Sequence, residues 1–389
     1  MIAYNSKELD NISIQEEATA ALEKECITAE EHAAIVAAHP STLYTPNIFM
    51  RIGLFILTSI IMLFSSGLFA LMSLSGKDEG ITILSFILGI ISYIVLEVMV
   101  REKKHHKSGA DSALMWWASV STLVGVGVAT SGDLGILGWS LIVLLLSLWF
   151  TLRFADVSMS IIAHLAFLAT LFSISIRLGT AGRIITPFLL MGASLAVYLL
   201  AGKLSRIHTY RHYRRCLEVL KALGLLTLYV SGNYLVVREV SNEMFGLDLQ
   251  PGESIPGGWI FWIFTVVLPP LYIYLGLRKK DRILIVAGLI LLAAIVFTIR
   301  YYHSVAPIEV AMTLGGAFMI LVAYFVTKYL KEPKKGFTAA EDDEKHALQR
   351  LQIEAVIISQ TMSHTPQPAQ GEVKFGGGTG SGGGATGEY

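Results

Sequence analysis

Ten long hydrophobic segments, spread between residues 52 and 329, constrain the fold more than any other feature of this sequence. An α-helix crosses the hydrocarbon core of a membrane with about 20 apolar residues. The segments have about that length, and they are 52–74, 81–99, 113–129, 134–152, 157–178, 184–201, 217–237, 258–277, 283–299 and 307–329. We therefore predict an all-α, polytopic integral membrane helical bundle of about ten transmembrane helices, covering residues 51–330 and surrounded by the lipid bilayer.

The composition supports this fold class and argues against several kinds of function. The chain is 53% hydrophobic and only 15% charged, against about 25% charged residues in a soluble domain. Thirty basic residues balance thirty acidic ones, so no excess positive charge is present for a nucleic-acid partner. Cys26 and Cys216 belong to no metal-ligand motif, and HExxH and GxSxG motifs are missing from the sequence. We expect no catalytic residue, metal or cofactor, and interpret the chain as a non-enzyme.

The distribution of lysine and arginine predicts the orientation of the segments. Loops on the cytoplasmic side of a membrane protein are enriched in basic residues. With ten spans and a cytoplasmic N-terminus, nineteen basic residues flank the spans on the inside and five on the outside. This asymmetry favours ten spans with both termini in the cytoplasm. Segments 113–129 and 184–201 are the weakest candidates for membrane spans. If one of them does not cross the membrane, the two termini lie on opposite sides.

Residues 1–50 are predicted to form an acidic cytoplasmic helical hairpin, since they carry 2 basic and 8 acidic side chains. Two capping-box patterns, in which Ser or Thr precedes Glu by three positions, each predict the start of a helix. The patterns are Ser13 with Glu16 and Thr28 with Glu31, and the helices that follow cover 13–25 and 29–38. The few apolar side chains cannot form an independent core. We expect the hairpin to pack on the membrane domain, on a second copy of the chain or on a partner.

Residues 331–365 are predicted to form a cytoplasmic amphipathic helix, and residues 366–389 a flexible glycine-rich tail. Apolar residues repeat in this helix at spacings of 3 and 4, which is typical of a docking stripe or a short coiled coil. The candidates for docking are Leu348, Leu351, Ala355 and Ile358, together with the terminal Tyr389. The stripe packs either against the protein's own loops or against a helix of another chain. The tail is either unstructured or bound by a partner.

Ionisable and helix-breaking residues inside the spans are candidates for a solute or lipid path. His164 lies near the middle of the fifth span, where a hydrogen bond to a neighbouring helix is the alternative role. Glu218 and Lys221 lie three positions apart at the inner end of the seventh span and can also act as interfacial anchors. Pro269 and Pro270 fall near the middle of the eighth span. A break there would line a cavity, and a simple kink is the alternative.

The segment ALEKECITAEE, residues 21–31, resembles the cytoplasmic leader of a family of predicted bacterial polytopic membrane proteins of unknown function. In that family a short helix, a turn of the form L…G-I-T-x-E-E and a second helix precede a multi-span hydrophobic array. Cys26 stands where the family usually has glycine. The resemblance implies a multi-pass protein of the bacterial inner (plasma) membrane, and it implies no catalytic residues.

Two functional hypotheses follow from these features, and a membrane-embedded enzyme is a third, for which the sequence offers no catalytic motif. The first is a carrier that moves a small solute or lipid along a path near His164, Pro269 and Pro270. The alternative is a non-catalytic membrane scaffold or regulator that recruits partners, or a second copy of itself, through its cytoplasmic ends. A cavity lined by His164 would favour the carrier, whereas a solid bundle with exposed apolar cytoplasmic surfaces would favour the scaffold.

Overall fold

The computed structural model of the protein describes residues 2–73, 78–245 and 253–302, and single positions between 310 and 328. Within these residues the secondary structure is α-helical, apart from one isolated β-bridge between Tyr44 and His105 and one short 3-10 helix, His208–Tyr213. The all-α prediction is confirmed. The helices are α1 (Ser6–Glu23), α2 (Ala29–Ala38), α3 (Ile48–Ser73), α4 (Asp78–Arg101), α5 (Ala110–Ala129), α6 (Gly135–Phe154), α7 (Val157–Ile176), α8 (Gly179–Leu204), α9 (Arg214–Gly232), α10 (Tyr234–Phe245), α11 (Gly258–Lys279) and α12 (Arg282–Tyr302).

The N-terminal hairpin consists of α1 and α2, and local caps determine where each helix begins. The Asn5 side chain caps α1 by accepting a hydrogen bond from the Lys7 N–H at 2.9 Å. The predicted start at Ser13 is therefore wrong, because Ser13 lies inside α1. Thr28 and Glu31 form the expected capping box, with bonds of 2.8 and 3.2 Å, and α2 has the predicted bounds.

Eight of the described helices, namely α3 to α8, α11 and α12, are long and apolar enough to cross a membrane. The pair α9–α10 adds a ninth if its two arms form one bent span. Nine of the ten predicted segments thus correspond to helices, and the tenth, 307–329, lies mostly outside the described residues. Large apolar side chains cover the outside of the bundle, and Phe64 is 74% exposed. Such a surface is suited to lipid contact, since soluble proteins rarely expose large apolar patches.

Helices that follow one another in the chain pack as neighbours, with α4 on α5, α6 on α7, α8 on α9 and α11 on α12. Small residues permit the closest approaches between membrane helices. At Gly224 of α9, an added Cβ would lie 2.9 Å from the Ser194 carbonyl oxygen of α8. A buried cluster then joins α9 to α11 and α12, and its larger members are Leu225, Leu228, Tyr229, Tyr272, Leu284 and Leu291.

The seventh predicted span is interrupted, whereas the eighth is continuous. Helices α9 and α10 meet at Asn233 with a 66° change of direction, so the span predicted over 217–237 consists of two helices. In contrast, α11 runs without interruption although Pro269 and Pro270 lie inside it. The structure therefore has the irregular backbone at Asn233 and not at the two prolines.

The hairpin and the membrane helices belong to one compact unit, Met1–Val326. Residues 1–50 therefore pack on the membrane domain, which is the first of the three arrangements expected from the sequence. A second unit, Thr327–Tyr389, lies outside the described residues apart from position 328. The predicted amphipathic helix over 331–365 and the glycine-rich tail over 366–389 fall there.

Candidate functional site

The hairpin docks on the end of the bundle that carries most of its basic residues, which we call the basic end. Basic side chains in the connections at the opposite end are few among the described residues, and they are Arg177, Arg183, Arg238 and Arg300. Those at the basic end are Arg51, Arg101, Lys103, Lys104, Lys107, Arg153, Lys203, Arg206, Arg211, Arg214, Arg215, Arg278, Lys279, Lys280 and Arg282. The acidic hairpin thus meets the surface whose charge complements its own.

Two adjoining cavities lie between the hairpin and the basic end, and together we call them the hairpin cavity. Their volumes are about 230 Å³ and about 490 Å³. Six residues line both of them: Tyr4, His106, Lys107, Ala155, Val157 and Arg215. Each volume far exceeds the roughly 10–15 Å³ that one buried water needs. The hairpin cavity is therefore large enough for a small molecule or for the headgroup of a lipid.

Two ion pairs hold α1 on the basic end. Asp10 accepts hydrogen bonds from Nε and Nη2 of Arg211 at 2.6 and 2.8 Å. Glu16 accepts a hydrogen bond from Nη2 of Arg215 at 2.6 Å. The hydrogen bond from Arg211 lowers the pKa of Asp10, because it favours the ionised carboxylate. Asp10 is therefore charged, and paired, at neutral pH.

The residues that precede and open α1 insert into the bundle. The Ala3 N–H donates to the Arg153 carbonyl oxygen at 2.8 Å. Tyr4 and Leu9 are buried in an apolar core built from α4, α5, α6 and α7. Burying an apolar side chain of that size contributes roughly 1.5–3 kcal/mol, which is more than an exposed ion pair contributes. Apolar contacts therefore supply most of the docking energy, and the ion pairs select the position of α1.

The connection between α4 and α5 forms one wall of the hairpin cavity and is held in place by backbone contacts. The Tyr44 N–H donates to the Lys104 carbonyl oxygen at 2.8 Å, and the His106 N–H donates to the Tyr44 carbonyl oxygen at 3.1 Å. Gly109 adopts φ +91°, and an added Cβ would collide with the Arg51 carbonyl oxygen. Only glycine fits such a position. This close approach brings Arg51 and Lys107 to the same cavity.

Three cationic side chains and one neutral histidine line the smaller cavity. Burial, together with Arg215 and Arg51 nearby, lowers the pKa of Lys107, although Glu16 opposes this effect. Burial, together with the nearby Lys107, Arg215 and Arg51, lowers the pKa of His106 to about 3. Its imidazole is therefore neutral at physiological pH. The cations therefore face one another closely enough to interact unfavourably.

Two of these cations lack partners in the part of the chain that the structure describes. Arg215 pairs with Glu16, but the side chains of Arg51 and Lys107 form no hydrogen bond or ion pair there. The Nε atom of Arg51 and the Nδ1 atom of His106 are buried and unpartnered. Buried polar groups are normally hydrogen-bonded, so these two atoms are available to bind water or a ligand in the cavity.

Two aspartates also line the smaller cavity, and both bind backbone N–H groups at the starts of helices. Oδ1 of Asp111 accepts hydrogen bonds from the N–H groups of Gly109 and Ser112 at 2.9 and 2.8 Å. Oδ1 of Asp156 accepts a hydrogen bond from the Met159 N–H at 2.9 Å. Both aspartates therefore stabilise helix starts, at α5 and α7, and three cations against two carboxylates leave the lining positively charged.

His164 contacts a neighbouring helix. Its side chain is 3% exposed, and its Nε2 lies 3.1 Å from the Thr227 Oγ1 of α9. This is the hydrogen-bonded role that the sequence left open as an alternative to a path residue. His164 lines neither the hairpin cavity nor two smaller cavities that lie beside Pro187 and Val237.

Glu218 and Lys221 do not pair with each other, although they lie three positions apart on α9. Glu218 accepts a hydrogen bond from Nε of Arg214 at 3.1 Å and lines the larger part of the hairpin cavity. Lys221 donates to Oδ2 of Asp281 at 3.0 Å, and both of these side chains are less than one fifth exposed. Lys221 thus connects α9 to the turn between α11 and α12.

Asn233, which joins α9 to α10, was not among the residues predicted from the sequence to be important. It is 3% exposed, its Nδ2 donates to the hydroxyls of Tyr229 and Thr298 at 3.0 and 3.1 Å, and its Oδ1 accepts from the Leu235 N–H at 3.0 Å. It thereby satisfies polar groups that the helix break frees inside the membrane. The sequence signal is the dipeptide Gly232-Asn233, since glycine commonly ends helices and asparagine opens them.

The two prolines of α11 lie elsewhere, and their surroundings show close packing. Pro269 is buried, and an added Cβ on Gly288 of α12 would lie 2.9 Å from its carbonyl oxygen. Pro270 is exposed on the outside of the bundle. Neither proline lines the hairpin cavity or the two cavities beside Pro187 and Val237.

Two further cavities lie beside the helix break, towards the end of the bundle opposite the hairpin. Their volumes are about 190 Å³ and about 210 Å³. Pro187 of α8 and Val237 and Ser241 of α10 line both. Most of the lining is apolar, so these two cavities suit an apolar group or a lipid chain.

The remaining candidates from the sequence fall outside the described residues: Leu348, Leu351, Ala355, Ile358 and Tyr389. Within the described residues, no three His, Cys, Asp or Glu side chains are grouped in a way that could hold a metal ion.

The long apolar helices, their lipid-suited surface and the docked hairpin define the chain as a multi-pass α-helical membrane protein. No protein-family model matches the chain, and neither a curated protein nor a solved structure matches it. Its function is therefore inferred from the geometry of its sites.

Proposed function

We propose that the chain is a non-catalytic scaffold or regulator of the bacterial inner membrane, with its basic end and its hairpin in the cytoplasm. The observation that carries this proposal is the different placement of the two hairpin helices. Helix α1 is bound to the basic end, whereas α2 packs chiefly on α1 and contains no buried residue. The fold thus anchors one helix and presents the other.

The surface of α2 is suited to a protein partner. Four alanines of α2, at 33, 34, 37 and 38, are exposed, and Ile35 and Val36 are half-buried. An exposed face of alanines, with two half-buried branched residues beside it, lets another helix approach closely. The partner is a protein helix or a second copy of the chain.

The cytoplasmic orientation is supported by the clustering of basic residues at the end where the hairpin docks, because such residues are enriched on the cytoplasmic side. The native cysteines provide a test, since Cys26 is exposed in the turn between α1 and α2 and Cys216 is buried. A membrane-impermeant maleimide should label Cys26 in inside-out vesicles and not in right-side-out vesicles, with Cys26→Ser as the control. The opposite labelling pattern would reverse the orientation.

Recruitment is tested by photo-cross-linking from α2 in intact cells. A photoreactive amino acid at Ala33 or Ala37 should yield one discrete protein adduct. The same amino acid at Ile263, which is 49% exposed on α11, should yield lipid adducts alone. If neither α2 position gives a protein adduct, recruitment through α2 is refuted.

A carrier of a small solute or lipid is the second candidate, and the break at Asn233 favours it. Broken helices form the substrate sites of many transporters, and here two cavities flank the break. If the chain is a carrier, cells that overproduce it should change their content of at least one metabolite or lipid, and Asn233→Ala should abolish the change. Mass spectrometry of cell extracts measures these contents. Identical contents in cells with and without overproduction of the protein would argue against transport.

A further inference from the structure

We propose that the smaller part of the hairpin cavity is a phosphate-binding site, in which Lys107, Arg51 and Arg215 hold the anion and His106 donates a hydrogen bond. The ligand is a phosphate group, either free inorganic phosphate or the headgroup of an anionic phospholipid. The inference deepens the proposed function and rests on it for the cytoplasmic location of the cavity.

The smaller cavity carries an excess of positive charge, because three cations line it together with the carboxylates of Asp111 and Asp156, which accept hydrogen bonds from backbone N–H groups. Arg51, Lys107 and Arg215 line the smaller cavity together, and burial, with repulsion from Arg215 and Arg51, lowers the pKa of Lys107. Glu16 neutralises Arg215, but Arg51 and Lys107 have no partner among the described residues. A phosphate carries about −1.5 to −2 charges near neutral pH and several strong acceptor oxygens, so it can compensate two or three cations at once.

Two buried, unpartnered nitrogen atoms supply directional contacts. His106 is 9% exposed, and its Nδ1 has no hydrogen-bond partner. The Nε of Arg51 is buried and unpartnered as well. An N–H on each atom can donate to a phosphate oxygen, which would satisfy groups that are costly to leave unpaired. A neutral imidazole suits this role, because it donates a hydrogen bond without adding charge.

The backbone holds these groups in place before any ligand binds. Gly109 lies directly against the Arg51 carbonyl oxygen, which fixes the start of α3 beside the connection that carries His106 and Lys107. The backbone bond between His106 and Tyr44 fixes the other side of that connection. A preorganised site loses little conformational entropy on binding.

The site is linked to the docking of the hairpin. Arg215 lines the cavity and also binds Glu16 of α1, while Tyr4 packs against the His106 ring at a centroid distance of 4.8 Å. A phosphate that engages Arg215 therefore changes the contacts of α1. Basic pockets between membrane helices on the cytoplasmic side are known binding sites for anionic lipid headgroups, which makes a lipid a natural source of the phosphate.

The test uses the full chain in nanodiscs and measures its thermal unfolding midpoint in two arms. In the first arm, inorganic phosphate is titrated against chloride at constant ionic strength in phosphatidylcholine nanodiscs. In the second arm, phosphatidylglycerol replaces part of the phosphatidylcholine without added phosphate. Stabilisation in the first arm identifies free phosphate as a ligand, and stabilisation in the second arm alone identifies the lipid headgroup.

Variants locate the site. Lys107→Gln should weaken binding by about tenfold or more, as expected for the loss of a charge-assisted hydrogen bond. Lys103→Gln removes an exposed charge from the same connection and does not line the cavity, so it should bind as the wild type does. Lys107→Arg keeps the charge and should retain binding, which provides a folded variant if Lys107→Gln is unstable.

Two results would overturn the proposal. One is a wild-type protein stabilised by neither phosphate nor phosphatidylglycerol. The other is an equal loss in Lys107→Gln and Lys103→Gln, which would indicate diffuse surface charge and not a site. Both readouts are independent of cross-linking from α2, so a failure of the phosphate site and a failure of recruitment are distinguishable.

Discussion

Asp10 and Arg211, which are 201 positions apart in the sequence, are joined by two hydrogen bonds of 2.6 and 2.8 Å. The pair connects the first helix of the chain to the 3-10 helix before α9. Together with the buried side chains of Tyr4 and Leu9, it makes the N-terminal segment part of the same folded unit as the membrane helices. Contacts of this kind hold α1 in place as one side of the hairpin cavity.

Asp10→Asn should loosen α1 from the basic end. We expect the hydrogen-exchange rates of α1 amides to rise by about fivefold, since the loss of one ion pair shifts the docking equilibrium by about that factor. Glu17→Gln is the matched control, because Glu17 is an exposed acid of the same helix. Equal protection of α1 in both variants would show that the ion pair does not hold the hairpin.

The same ion pair predicts an acid limit for docking. The pKa of Asp10 is lowered in the folded chain, so its contribution is fully present above the unfolded value of about 3.9. It is lost as the pH falls through the lower folded pKa. Hydrogen exchange of α1 should therefore increase in the wild type below about pH 4, and Asp10→Asn should lack this step. A step of equal size in Asp10→Asn would assign it to another group.

Gly109→Ala should destabilise the cavity wall more than Gly132→Ala does. Both glycines have positive φ, +91° and +80°, but an added Cβ would collide with the Arg51 carbonyl oxygen at Gly109 and meet nothing within 4 Å at Gly132. A positive φ strains alanine in both variants, by roughly 1–2 kcal/mol in the left-handed helical region, and Gly109, with ψ −43°, lies outside even that region. The collision should add about 1–3 kcal/mol at Gly109 alone. Unfolding in detergent measures the difference in stability. Equal losses of stability in the two variants would show that the backbone at Arg51 can shift to accommodate the added Cβ.

Asn233→Ala should lower the free energy of unfolding by about 1–3 kcal/mol, the range for leaving buried polar groups unpaired. The groups affected are the backbone N–H of Leu235 and the hydroxyls of Tyr229 and Thr298. Ser231→Ala, two positions earlier on the same helix, should have little effect. A steric-trapping assay in bicelles compares the two. Equal stabilities of the two variants would mean that water forms hydrogen bonds with the polar groups at the helix break.

His106 predicts a second pH dependence. Its pKa is about 3 in the folded chain and about 6.5 when unfolded, so the unfolded state binds the extra proton between these values. Stability should fall as the pH drops from 6.5 towards 3, by up to about tenfold in the unfolding equilibrium per pH unit. His106→Gln should flatten this slope, whereas His32→Gln on α2 should leave it unchanged. A slope unaffected by His106→Gln would show that other groups cause it.

The sequence by itself determined the features that depend on neighbouring residues. Among the described residues, hydropathy over about 20 residues located eight long helices and the broken pair α9–α10, because the thickness of the hydrocarbon core sets the length of a span. The capping box of Thr28 and Glu31 located the start of α2, because both hydrogen bonds form within four residues. The alternation of basic residues likewise anticipated the surface on which the acidic hairpin docks.

Only the tertiary structure decided the features that join distant residues. The break at Asn233 depends on Thr298 of α12, and the continuity of α11 through Pro269 and Pro270 accompanies close packing against Gly288. His164 acquires its role from Thr227 on another helix. The hairpin cavity combines Arg51, Lys107 and Arg215 from separate elements. Local propensity carries no information about such contacts, because each depends on which helices become neighbours when the bundle packs.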